Sequence, residues 1–363
     1  MTSSKLYPQV LRTFQSAFHA LFGAVVLLAS LTVASKPAVA QFVGPTQLTL
    51  VNGWSDAAFT TSHATVEMQN YIVRFRGAIS GGTAAVAFTL PAAFRPATDV
   101  YVPVDLCNAN KGRLHITPAG VVDIEVENVF SDAQCFTSLD GATYSPNTNG
   151  YTALTLINGW TNGPFSTSNA AIRSLYGFVL FKGAIATSGT NPSPFTVPVG
   201  YRPATDVYVP VDLCNANNGR LHITPAGAVD VEVEGGTFSN AQCFTSLDGA
   251  WFAQSVPSSN VYPLTLQNGW TNAPFSTSNA AAADQYGVVR LKGAIATGGT
   301  NAVPFTLPPR FAPVTNVYVN VDLCGANKGR LWIQPSGLVT VQAEKSFADA
   351  QCFTSLDGVS FVQ

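Results

Sequence analysis

The chain has 363 residues, only 10% of them charged, a formal net charge of −2, and 30 Gly and 23 Pro. It offers no basic cluster to neutralise phosphates, which argues against nucleic acid as a partner. Low charge combined with abundant Gly, Pro, Thr, Ser and Asn suits an extracellular all-β protein better than a cytosolic enzyme.

The chain opens with a leader. Lys5 and Arg12 give a positive start, Phe18 to Ala34 is a nearly uncharged apolar run, and Ala38-Val39-Ala40 is a small-x-small site. Together they predict a secretory signal peptide over residues 1–40, cleaved near Ala40, and a secreted, extracellular or cell-surface mature protein. The run is short for a membrane span and no later segment could serve, so the mature chain is expected to lack a transmembrane anchor.

Past the leader the sequence says the same thing three times. Asn-Gly-Trp, with Trp54, Trp160 and Trp270, opens each unit, and an identical Gln-Cys-Phe-Thr-Ser-Leu-Asp-Gly at Gln134, Gln242 and Gln351 closes it. The units run 46–144, 152–252 and 263–363, too long for solenoid repeats and long enough for a small domain with its own core. Within each, Leu-Thr-Leu suggests a first strand. Asn-Gly suggests a turn, with the following Trp packed on the core or, in the alternative reading, exposed to stack on a sugar ring. Val73 and Phe75 are predicted to face inward, as are Val179 and Phe181, and Val289 and Leu291, leaving Arg74 and Arg76 outward. Val100, Val102, Val104 and Leu106 alternate with polar neighbours, a strand with one buried face. Pro118-Ala119-Gly120 reads as a hairpin loop that sets Thr117 against Val121, His115 against Asp123 and Arg113 against Glu125. The linkers Ser145–Gly150 and Ser255–Asn260 are polar and Pro-bearing, so the units should sit as beads with limited swing.

The six cysteines fall two per unit at nearly equal spacing. In an oxidising compartment this predicts Cys107 with Cys135, Cys214 with Cys243 and Cys324 with Cys352. Each unit is then expected to fold alone. The fold class is all-β: three tandem β-sandwich, jelly-roll-like domains of roughly 100 residues, each with one intradomain disulfide.

The ordered set Leu156 to Trp160, Gly287 to Ile295, Gly298 to Thr300, Phe88 to Pro91 and Phe94 to Pro96 resembles the small β-domains of bacteriophage tail-fibre, baseplate and minor tail proteins. The resemblance implies a β-sandwich used to attach to cell-surface glycans. This chain adds a leader and one cysteine pair per unit to that pattern.

Candidate sites are few. The three His past the leader (His63, His115, His222) are replaced by Asn or Trp in other units, and no nucleophile motif is present, so no catalytic residue is assigned. Glu125 with Glu127, and Glu232 with Glu234, lie two apart on one strand face and read as a solvated acidic face rather than a glycosidase pair. Asp105, Asn108 and Asn110 make a polar loop, not a calcium loop, and neither metal nor cofactor is expected. The sharper candidate is Trp332. Alternation puts it on the outer face, with Leu331 and Ile333 inward, beside Arg330, Gln334, Thr340 and Gln342, a platform for a sugar ring; a packing contact with a neighbouring unit or a second chain is the alternative reading. The sequence therefore points to a secreted, multivalent, adhesin- or lectin-like protein that binds a cell-surface glycan or surface protein, with a homo-oligomer possible. A self-associating envelope or matrix protein is the second reading and a secreted hydrolase the third.

Overall fold

The computed structural model describes residues 42–254 and 261–363. The leader and the linker Ser255–Asn260 lie outside the described residues. The chain is all-β, with three repeats built alike. In repeat 1, β1 (Phe42–Gln47), β3 (Thr65–Gln69), β4 (Ile72–Arg76) and β11 (Thr143–Tyr144) form one antiparallel sheet in the order β1-β3-β4-β11. A second has the order β6-β9-β8-β7, from β6 (Val86–Thr89), β7 (Val100–Asp105), β8 (Lys111–Ile116) and β9 (Val121–Val126). A small third sheet, from β2 (Ser55–Asp56), β5 (Ala78–Ser80) and β10 (Thr137–Ser138), has β5 at its centre.

Alternation decides which faces meet. Val66, Met68, Val73 and Phe75 of the first sheet share one buried cluster with Phe88, Val102, Val104, Leu114, Ile116, Val122 and Ile124 of the second, the core of a β-sandwich. Trp54 joins it 6% exposed, and its indole N–H donates to Ala84 O; Trp160 and Trp270 do the same in their repeats. The turns before them have Asn52 at φ 52° and Gly53 at φ 76°, the left-handed pair that a tight hairpin turn needs. Gly120, at φ 86°, closes the β8–β9 hairpin in the expected register, with His115 opposite Asp123 and Arg113 opposite Glu125. The three expected disulfides are formed.

The beads are not separate. Residues 42–363 form one compact unit, because β7 and its counterparts Val207–Asp212 and Val317–Asp322 touch one another pairwise around a common axis. Repeat 1 docks on 2, 2 on 3 and 3 back on 1, a closed head-to-tail ring. Three expectations change as a result. Arg74, predicted outward, is only 5% exposed, because the outer face of its sheet is covered by the sibling sheets; Arg290 likewise stacks over Phe178 and Trp251 of repeat 2. Ser145 is buried rather than an exposed linker residue, its carbonyl accepting from Lys182 at 2.7 Å. Glu234 is no part of a solvated face, since its side chain keeps 7% exposure.

Candidate binding clefts at the three seams

The identical octapeptide is the docking element of each repeat. Cys135 carries the disulfide and Leu139 fills the core. Gln134 donates to Gly82 O and so holds the loop over Trp54. Ser138 reaches across the seam to Tyr318 O at 2.6 Å; Ser246 and Ser355 reach Tyr101 O and Tyr208 O at the same distance. Asp140 accepts from Gly77 N, and burial pushes its carboxyl up to about 7. Gly141 sits at φ 82°, where a Cβ would lie 2.8 Å from Val319 of repeat 3, so close approach of two repeats requires glycine there.

Charge locks the same seams. Arg113 reaches Asp212, Arg220 reaches Asp322 and Arg330 reaches Asp105, at 2.8 to 2.9 Å, with each aspartate side chain fully buried. Each guanidinium also lies over the tyrosine of its own repeat, 4.7 Å from the rings of Tyr101 and Tyr208 and 5.0 Å from that of Tyr318. Burial opposes the charge on Arg113, but Asp212 and Glu125 outweigh it and raise its pKa.

Two of the seams leave a small cleft beside this lock. At seam 3–1, Phe59, Asn108, Phe136 and Cys107 of repeat 1 face Tyr318 and Arg330 of repeat 3 around a cavity of about 70 Å³. Seam 1–2 repeats this with Phe165, Asn215, Phe244 and Cys214 facing Tyr101 and Arg113 around about 60 Å³. At seam 2–3, Phe275 and Phe353 meet Tyr208 and Arg220 in the same way.

At each seam the outermost aromatic is an exposed phenylalanine in a costly conformation. Phe59, Phe165 and Phe275 are 56%, 58% and 57% exposed, with φ of 53°, 54° and 54°. The left-handed region costs a non-glycine residue roughly 1–2 kcal/mol, and exposing a phenyl ring forgoes its burial. Each ring stands edge-on to the buried Phe136, Phe244 or Phe353, at 5.1 to 5.6 Å. A strained, exposed aromatic kept at all three positions is a feature that packing alone does not favour.

Of the predicted platform, the structure brings Trp332, Arg330 and Gln342 to seam 3–1. Trp332 stacks parallel to Tyr318, ring centres 6.0 Å apart, in the cluster containing Phe136 and Ala58 of repeat 1. It is half-buried, and its indole nitrogen has no partner among the described residues. Arg330 is committed to Asp105, Leu106 O and, at 2.6 Å, to Gln342, which orients it. Thr340 lies opposite Trp332 in the sheet, and Gln334 closes the following hairpin, its N–H donating to Leu338 O. In the other repeats His115 and His222 take the place of Trp332, stacked on Tyr101 and Tyr208 at 4.4 Å. Hydrogen bonding to Glu125 raises the pKa of His115, and Glu232 does the same for His222.

Strand alternation does not reach Phe59, Phe165 and Phe275, because they sit in short 3₁₀ turns between strands. A signal existed: Pro-Phe-Ser-Thr-Ser-Asn recurs intact at 164–169 and 274–279, an aromatic fixed inside a polar run. No protein-family model matches this chain, and neither a curated protein nor a solved structure shows significant similarity to it.

Proposed function

We propose that the chain is a secreted binding protein whose three seams each take one ring of a cell-surface glycan. The observation that carries this reading is the exposed phenylalanine held at positive φ over Tyr, Phe and Arg at all three seams. An apolar ring face beside an arginine, with an asparagine at two of the three seams, matches the two faces of a sugar: C–H groups for the aromatics and hydroxyls for the donors. At about 60 and 70 Å³ the clefts at seams 1–2 and 3–1 are far below the roughly 300 Å³ at which pockets enclose drug-sized ligands, so each can meet one face of a ring rather than enclose a larger ligand. Weak binding at one seam becomes useful when three are held rigidly, with avidity up to roughly 10²–10⁴ over a single site where the ligand spacing matches. The leader-like start and three disulfides support an oxidising, extracellular setting.

Glycan-array binding by the folded chain tests this. Replacing Phe59, Phe165 and Phe275 together by Ala should abolish it, and replacing one should reduce it stepwise. Binding unchanged in the triple variant would refute the reading. Concentration-dependent assembly without glycan, lost in the same variant, would make the phenylalanines contacts between copies instead.

A further inference from the structure

At one end of the axis the strand following each β8-type strand delivers a glutamate: Glu127, Glu234 and Glu344, one from each repeat. One carboxylate oxygen of each lies within 4.8 Å of the other two. Three like charges this close repel unless something offsets them.

The neighbouring cations are largely engaged elsewhere. Lys328 Nζ donates to Asp105 Oδ1, Ala109 O and Asn110 O, its full complement of three. Lys111 Nζ faces Asp212 at 3.6 Å without a hydrogen bond, and its charge also acts on Glu127 and Glu234. The equivalent position of repeat 2 carries Asn218, whose amide donates to Ala326 O, so the axis has two buried lysines where symmetry would supply three. Lys345 meets Glu234 Oε1 at 2.5 Å from the solvent side, its own side chain 59% exposed. Among the described residues, no Lys or Arg nitrogen lies within ion-pair distance of Glu127 or Glu344.

The second observation concerns individual oxygens. The Glu234 side chain is more than nine-tenths buried, yet its Oε2 has no hydrogen-bond partner, and Glu344 Oε2 is buried and unpartnered as well. A buried carboxylate oxygen without a donor is strongly disfavoured. Two of the three carboxylates of the ring carry such an oxygen, and together the three are a set of hard donors.

We propose that Glu127, Glu234 and Glu344 bind one calcium ion on the ring axis, pinning the three repeats together at that end. Coordination habit selects the ion. Oxygens no more than 4.8 Å apart place a central cation at most about 2.8 Å from each, a bound that admits the 2.3–2.6 Å of calcium, and calcium accepts irregular carboxylate geometry where magnesium demands a near-ideal octahedron and keeps its waters. All-carboxylate ligation disfavours the softer transition metals. Waters and second carboxylate oxygens complete the shell. The site is independent of the seam clefts and of what they bind.

The test is titration of the chelator-treated, folded chain with CaCl₂ and separately MgCl₂ by calorimetry, followed by thermal melts. One Ca²⁺ per chain is expected, in or below the roughly 10⁻⁴–10⁻³ M range of extracellular modules, with Mg²⁺ at least tenfold weaker. A hundredfold excess over Kd should raise Tm by about 5 °C. Glu234→Gln and Glu344→Gln should each weaken Ca²⁺ binding at least tenfold and remove the Tm rise, and Glu67→Gln in β3 should change neither. Both axial variants relieve repulsion, so they should melt no lower than the parent in chelator, with far-UV circular dichroism confirming the fold; Glu127→Gln gives a third check. No Ca²⁺ response up to about 10 mM, a stoichiometry of three, or a response that survives Glu234→Gln and Glu344→Gln would overturn the proposal.

Discussion

Seams 3–1 and 2–3 share one plan, and around the buried aspartate they differ in what faces it: Lys328 and Gln342 at the first, Asn218 and Glu232 at the second. In seam 3–1, Asp105 accepts from both Lys328 and Arg330, so its two oxygens are both satisfied. In seam 2–3, Asn218 stands where Lys328 stands, Asp322 keeps Arg220 alone, and its Oδ1 is buried without a partner. Burial then pushes the Asp322 carboxyl up to about 7 despite the guanidinium. The Lys-to-Asn difference leaves the Asp322 carboxylate half-partnered, and Glu232, where seam 3–1 has the neutral Gln342, adds repulsion that raises it further. Seam 1–2 lies between, with Lys111 near Asp212 but no hydrogen bond made, and the Asp212 pKa raised by burial.

The largest expected effect follows from breaking the paired seam. Asp105→Ala strands Lys328 and Arg330 in the interior and should cost about 3–5 kcal/mol, the range for unpairing a buried ion pair. Asp322→Asn removes a carboxylate that is already half-partnered and should cost clearly less. Denaturant melts of both variants at pH 7 measure the gap, and equal losses would mean the lysine contributes nothing to seam 3–1.

The pH dependence sharpens the same comparison. A carboxyl raised from its usual 3.8 to about 7, as at Asp322, holds its proton more tightly folded than unfolded. Its stabilising contribution is complete below about pH 4 and is lost as pH rises through about 7. Burial moves Asp140 and Asp357 up to about 7 and Asp248 up to about 6, the same direction. Tm should therefore fall between pH 5 and pH 8. Asp322→Asn should flatten part of that slope, and Asn218→Lys, by supplying the missing ammonium, should raise Tm at pH 8 more than at pH 5. A slope unaffected by either variant would locate the titrating groups elsewhere.

Trp332 shows what period two can and cannot tell. Alternation correctly placed Leu331 and Ile333 in the core and set Trp332 across from Thr340 and Arg330 across from Gln342. It identifies the face of a strand but not what covers that face. Here the cover is repeat 1, more than 180 residues away in the chain, so a residue expected on an open platform stacks on Tyr318 beside Phe136. The hairpins, the packed Asn-Gly-Trp tryptophans and the cysteine pairs were legible because each depends on local turns or near spacing. Ring closure was not, because it depends on pairs such as Ser138 with Tyr318, whose partners local patterns do not connect. The one hint was the octapeptide itself, since a core tolerates substitution and three unaltered copies imply a shared contact surface. Trp332→Ala should accordingly cost about 1–3 kcal/mol through lost seam packing, whereas His222→Ala at the equivalent point of seam 2–3 removes a smaller ring and should cost less. A Tm unchanged by Trp332→Ala would restore the open-platform picture.

The smallest expected effect on stability separates function from packing most cleanly. Phe275 adopts φ 54° and is 57% exposed at seam 2–3, and Phe59 does the same at seam 3–1. Glycine adopts that conformation without steric cost, although it also gives the unfolded chain more freedom to lose on folding. Those terms oppose each other, so Phe275→Gly and Phe59→Gly should each shift stability by less than about 1 kcal/mol. If the rings are held for a ligand, each variant should lose glycan binding at its own seam while melting almost as the parent does. A loss of several kcal/mol instead would show that the edge-on contacts with Phe353 and Phe136 brace the seams, and the exposed phenylalanines would then be structural.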